Sequence, residues 1–192
     1  MTFSQFLFRN RSYTPLPFLA VMLIFAQPTL TSLIVGFFVA ALGEFLRAAG
    51  VFYVGSETRV TGSVGASKLV TSGPFSYTRN PLYVGNILIY LGIGIMSLAL
   101  FPWLQLFALV WFVFQYTLII KEEESFLREH FGQEYSDYCA KVPRFFFRFT
   151  PYASWHPVDI DWKAGWSSES RTLQAFAVAT LILIIIWLVQ TA

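Results

Sequence analysis

LYVGNILIYLGIGIMSLALFPWLQLFALVWFVFQYTLII, residues 82–120, contains no charged side chain. As one unbroken helix it would measure about 58 Å, nearly twice a hydrocarbon layer of about 30 Å. Pro102 has no N–H to give a helix interior, so the run divides there into two spans joined by a tight turn. Two further uncharged runs, residues 12–43 and 172–192, lie on either side. Composition agrees: 56% of the chain is hydrophobic and 12% charged, where soluble domains carry about 25% charged residues. The expected fold is therefore all-α, a polytopic membrane helix bundle of about five transmembrane helices. The spans fall at 14–27, 29–53, 81–98, 102–120 and 172–189, and residues 1–192 form a single integral membrane domain.

The basic residues orient the bundle. All of the 13 Lys and Arg except Arg47 fall in residues 1–13, 54–80 and 121–171, on one side of the five spans. The turns around Pro28 and Phe101 carry no charge. By the positive-inside rule the N-terminus and the polar segments are cytoplasmic, facing away from the outside of a bacterial inner membrane or from the lumen of an endoplasmic reticulum. A cleaved signal peptide is not expected, because a second apolar stretch follows residues 16–26 directly.

Several classes of chemistry are disfavoured. Cys139 is the single cysteine and excludes an internal disulfide; His130 and His156 have no second ligand at metal spacing, so no metal is expected. No nucleic-acid partner is expected either. GSETRVTGSVGASK, residues 55–68, reads as a flexible connection or lid and lacks phosphate-loop spacing. Gly92 and Gly94 sit inside an apolar helix with no strand before them, which points to close helix packing. The aromatic segment FFFRFTPYASWHPVDIDWKAGW, residues 145–166, reads as part of an interfacial stretch, 149–171, preceding the last span.

Charged residues near the spans are the candidates for function. Glu44 and Arg47 lie three apart on one helix face, either as a mutual ion pair or as functional groups. In KEEESFLREHFGQEYSDYCAKVPR, residues 121–144, Leu127 and Phe131, with Tyr116 and Ile120 before them, mark one face of a helix leaving the membrane. At 100° per residue Glu123 and Glu124 flank that face and Glu122 points away. A solvated acidic turn with a Glu124–Arg128 pair is the plainer alternative. Gly132 ends that helix, and a short one follows with Tyr135 and Tyr138 on one side. In SGPFSYTRNPLYVGN, residues 72–86, Pro81 opens the third span. Its unbonded N–H groups beside Arg79 and Asn80 form a seat for a carboxylate or phosphate, unless Arg79 only marks the membrane border.

These segments carry a resemblance. SGPFSYTRNPLYVGN resembles the first signature of the isoprenylcysteine carboxyl methyltransferase family, SGPY-x-x-x-RHP-x-Y-x-G. EESFLREHFGQEYSDYCAKVPR resembles the second, and GEFLRAAGVFYVG, residues 43–55, is similar to the family's helix-two segment. The resemblance covers about residues 40–148, and its superfamily includes phospholipid N-methyltransferases. It implies an integral membrane enzyme that transfers a methyl group from S-adenosylmethionine, bound on the cytoplasmic side, to a lipophilic acceptor from the bilayer. The match places Arg79, Asn80, Pro81, Tyr83 and Gly85 in one cofactor-binding motif and Glu123, Glu124, Tyr135, Tyr138 and Arg144 in the other. Asn80 departs from the usual histidine.

A prenylcysteine-like carboxylate needs a cation, Arg144 or Arg47, and with Glu44 these are the expected catalytic groups. A phospholipid amine needs instead a carboxylate to take its proton. An NADPH-dependent sterol-type reductase, which shares a similar motif, and a non-catalytic membrane protein of the same fold are the alternatives.

Overall fold

The computed structural model describes residues 3–54, 68–152 and 162–192. Among these no strand occurs. Six helices follow one another: α1 (Phe3–Asn10), α2 (Leu16–Ile24), α3 (Leu30–Val54), α4 (Pro81–Ser97), α5 (Trp103–Lys141) and α6 (Trp162–Thr191), with a 3-10 turn at Gly73–Ser76 before α4. Most of the loop at 55–68 and His156 lie outside the described residues.

Among the described residues three helices are long and apolar enough to cross a membrane: α3, α5 and α6 from Gly165. α4, expected as a span, has 17 residues, the short end of the spanning range. α2 falls short of its expected 14–27. Its nine residues reach about 14 Å, because Pro15 and Pro17 confine its start and the chain leaves helix before Pro28. Large apolar side chains on the outside, such as Phe45 at 73% and Val189 at 72% exposure, are what a lipid-facing surface requires. α1 was not expected from sequence; it packs on α5, where Ser4 Oγ donates to Glu122.

Among the described residues α3 and α4 share the most extensive contact of the bundle. A Cβ on Gly43 would stand 2.6 Å from the Gly85 carbonyl oxygen, and one on Gly92 2.5 Å from Ala40 N, so the two backbones touch. The GIG run thus packs helices, as its sequence setting implies. At the uncharged end the turns meet: Gln27 N–H donates to Ser97 O at 2.8 Å, and Gln190 Nε2 to Ala26 O at 3.2 Å. Gln105 Nε2 caps the end of α4 by donating to Gly94 O and Ala99 O. With this end uncharged, the polar groups gather at the other.

α5 keeps going after its apolar portion. Gly132, at φ 55° and ψ −121°, interrupts it where sequence placed a helix end, and the chain resumes as helix to Lys141. That conformation is open to glycine alone without strain. Tyr135, Tyr138 and Val142 then bury themselves with Leu69, Leu127 and Phe131 in a small second core. The last helix begins at Trp162, about ten residues before the expected span, so residues assigned to the interfacial stretch form its first turns.

Candidate active site

The two motif segments are laced together along their backbones. Arg79 N–H donates to Pro143 O at 2.9 Å and Arg148 N–H to Tyr77 O at 3.0 Å. Asn80 Nδ2 and Thr78 Oγ1 both donate to Arg144 O, at 3.0 and 3.3 Å. Tyr138 Oη donates to Phe75 O at 2.7 Å. Asn80 occupies the N-cap position of α4 but makes no side-chain capping bond, because its amide is turned to Arg144.

Glu124, not Arg128, decides the ionic arrangement. Its Oε1 accepts from Arg79 Nη2 and Arg144 Nε, both at 3.0 Å, and its Oε2 from Arg144 Nη2 at 2.6 Å. Arg79 Nη1 adds donations to the carbonyls of Cys139 and Val142, at 2.8 and 3.0 Å. At Arg79, where sequence suggests a seat for a ligand anion, both terminal nitrogens of the guanidinium are engaged by protein and Nε is buried without a partner. Arg144 is similarly occupied, and the Glu124 carboxylate bonded to it holds its guanidinium above the usual range.

A cavity of about 760 Å³ opens on this clamp. It receives Arg79 and Asn80 from just before α4, Tyr83, Asn86 and Tyr90 from α4, and Tyr116, Glu123, Glu124, Tyr135 and Tyr138 from α5. Arg47 and Val51 of α3 line another side, and Arg171, Thr172 and Ala175 of α6 a third. Arg11, Leu16 and Leu19 close it from the N-terminal segment, with the Arg11 guanidinium 4.2 Å above the Phe8 ring. Within it Tyr83 Oη donates to Glu123 Oε1 at 2.6 Å, and the Tyr83 and Tyr116 rings lie 4.7 Å apart.

Eight of the twelve sequence candidates therefore share one cavity: Arg47, Arg79, Asn80, Tyr83, Glu123, Glu124, Tyr135 and Tyr138. Four do not line it. Gly85 faces the backbone of Gly43, Pro81 is buried at the start of α4, Arg144 stands behind Glu124, and Glu44 is 5% exposed inside the bundle. Nor do Glu44 and Arg47 pair. Arg47 Nη1 bonds both carboxylate oxygens of Glu169 on α6, at 3.1 and 2.8 Å, and neither oxygen of Glu44 accepts a hydrogen bond. Sequence reasoning missed Arg11, Tyr90, Arg171 and Glu169. Arg11 precedes the first apolar run and read as its flank, whereas Glu169 in SSESR carries no local signal. Among the described residues no group of three or more His, Cys, Asp and Glu could hold a metal ion.

The family model for phospholipid methyltransferase matches residues 17–134, more than half of the chain. The chain belongs to this family. Among curated relatives of this phospholipid methyltransferase family member, the cobalt-zinc-cadmium resistance protein CzcN of Cupriavidus metallidurans is 43% identical over 107 residues, 55% of the chain and 45% of that protein. The nickel-cobalt-cadmium resistance protein NccN of Alcaligenes xylosoxydans xylosoxydans is 35% identical over 46% of the chain and 40% of its own length. The protein-S-isoprenylcysteine O-methyltransferase of Schizosaccharomyces pombe is 36% identical over 108 residues, 53% of the chain and 44% of that enzyme. The chain thus spans less than half the length of each of these relatives. No solved structure matches it.

Asn80, where the resembling family has histidine, is a tie between segments in this structure. Asn80→Ala is expected to lower stability by about 1 kcal/mol through the lost bond to Arg144 O. Asn80→His, whose ring N–H can donate there, should retain most of it. The midpoint of unfolding by SDS in mixed micelles measures both, and an equal loss in the two variants would refute this role.

Proposed function

We propose that the protein transfers a methyl group from S-adenosylmethionine to a lipophilic acceptor held in the membrane, with a prenylcysteine-like carboxylate as the acceptor. The carrying observation is the 760 Å³ cavity, in which a carboxylate, several guanidinium groups and a wall of tyrosines converge beside apolar side chains from α2, α3 and α6. Its volume lies within the range of about 300–1,000 Å³ usual for ligand sites.

The residues present fit S-adenosylmethionine. Glu123, steadied by Tyr83, is placed to take an ammonium group. The N-terminal turn of α4, uncapped by Asn80, and the cations around the cavity offer places for a carboxylate. Tyr116, Tyr135 and Tyr138 supply ring faces for adenine and for a cationic sulfur. When bound, the cofactor supplies a methyl group already activated on a sulfonium. The chain's own contribution is then to bind, to orient and to exclude water. Arg79 and Glu124 act in this reading by joining α4 to α5, and so hold Glu123 and Tyr83 in register.

For the acceptor's carboxylate, Arg47 is favoured over Arg144, since Arg47 lines the cavity and Arg144 does not. Leu16, Leu19, Val51 and Ala175 offer an apolar wall for its tail. A phospholipid amine is the second reading, favoured by Glu123, which can accept a proton inside the cavity. The distribution of basic residues supports a cytoplasmic position for the cavity.

Incubation with radiolabelled S-adenosylmethionine and a host lipid extract tests the proposal, with a base-labile labelled ester expected and a labelled phospholipid amine favouring the second reading. Glu123→Gln and Tyr83→Phe should each weaken S-adenosylmethionine binding by about tenfold in a direct titration, the loss of one charge-assisted hydrogen bond. Wild-type affinity in both would remove these residues from the site. Stabilisation of the solubilised protein by NADPH and not by S-adenosylmethionine would point to a reductase instead.

A further inference from the structure

Arg47 reaches the cavity wall from α3, and Glu169 meets it from α6. The Glu169 side chain is 1% exposed, and both its carboxylate oxygens accept from one nitrogen, Arg47 Nη1. Every hydrogen bond the Arg47 side chain makes to a described residue passes through Nη1, so neither Nε nor Nη2 is bonded to one, and Arg47 lines the cavity. One turn back on the same face of α3 stands Glu44, buried, with neither oxygen accepting a hydrogen bond. A buried carboxylate without a donor is a strong competitor for a guanidinium within its reach.

We propose that Glu169 is a positioning residue. It holds the Arg47 guanidinium at the cavity wall, in preference to the competing Glu44, as the seat for an anionic group of the acceptor, a carboxylate or a phosphate. Naming that anion as the acceptor's rests on the methyl-transfer reading; the existence of the seat does not. Without Glu169, Arg47 turns back along α3 to Glu44 and leaves the wall. The last helix is then part of the binding site, although the family match ends at residue 134. A role confined to packing α6 on α3 makes different predictions, because packing gains nothing from removal of Glu44.

The test uses the full chain in lipid nanodiscs and direct titration with S-farnesylcysteine, its methyl ester and dodecyl phosphate. Wild-type protein is expected to prefer the acid over the ester, and the stronger of the acid and dodecyl phosphate names the anion. Glu169→Gln should weaken binding of the preferred anion by about tenfold, one charge-assisted contact, and leave the ester unchanged. Adding Glu44→Gln to Glu169→Gln should recover most of that loss, since Arg47 then has no partner to turn to. The exchange Arg47→Glu with Glu169→Arg keeps an attraction between α3 and α6 but removes the cation from α3, so anion binding should stay weak. Wild-type binding in Glu169→Gln, no recovery in the double variant, recovery in the charge exchange, or wild-type binding of both the acid and dodecyl phosphate no tighter than that of the ester would each overturn the proposal. Anion preference without labelled methyl transfer would sink the methyltransferase reading and leave the seat standing; transfer without the preference would do the reverse.

Discussion

Glu124→Ala is expected to destabilise the protein by about 3 kcal/mol or more, the usual consequence of removing one partner from a buried ionic cluster. Two guanidinium groups lose their carboxylate at once. Arg79 dominates the loss, because its side chain is only 11% exposed whereas that of Arg144 is 31% exposed and can turn to water. Arg144→Ala should accordingly cost less than Arg79→Ala. The neighbouring Glu123→Gln, which touches Tyr83 and not the clamp, should change stability little and so serves as the control. The midpoint of SDS unfolding followed by circular dichroism reads all four variants. A Glu124→Ala protein within about 1 kcal/mol of the wild type would show that the clamp does not hold the polar end together.

Gly85→Val is the second substitution with a large effect. A Cβ at Gly85 would lie 2.6 Å from Gly43 O, 2.8 Å from Arg47 Cβ and 3.0 Å from Arg47 N. Two of these three atoms are backbone, so α3 and α4 must separate, and the loss should exceed the 1–3 kcal/mol usual for overpacking. Separation would also carry Arg47 away from Tyr83 across the cavity, so under the proposed methyl-transfer function S-adenosylmethionine binding should fall with stability. Gly94→Ala offers the contrast. Its Cβ would meet only the side chains of Gln105 and Met22, at 3.1 Å, and these can shift, so a loss below about 1 kcal/mol is expected. Equal tolerance of the two substitutions would contradict a backbone contact at Gly85.

The helices and the cavity were legible in the sequence to different degrees. α3, α4 and α5 start within one residue of where apolar run lengths and Pro81 and Pro102 place them, since these signals are local. The 100° spacing also turned Glu123 and Glu124 inward correctly. α1 was missed because eight residues with Arg9 at their end give too short a period to read. α2 was overestimated because apolar composition is blind to how few residues remain between Pro17 and Pro28.

The candidate site shows the same division. That charged and aromatic residues of two motifs belong together follows from sequence, through their type and their position at one end of the spans. Their pairings do not. A guanidinium takes whichever carboxylate the fold brings within about 3 Å, and Coulomb attraction between near neighbours in sequence gives no priority. Local spacing offered Glu44 to Arg47 and Arg128 to Glu124. The structure joins Arg47 to Glu169, 122 residues away, and Arg79 to Glu124, 45 residues away. The sequence by itself determined an all-helical membrane chain with its polar chemistry at one end. Only the tertiary structure decided which of those polar groups brace the bundle and which face the cavity, because that choice depends on distances between segments that no local pattern encodes.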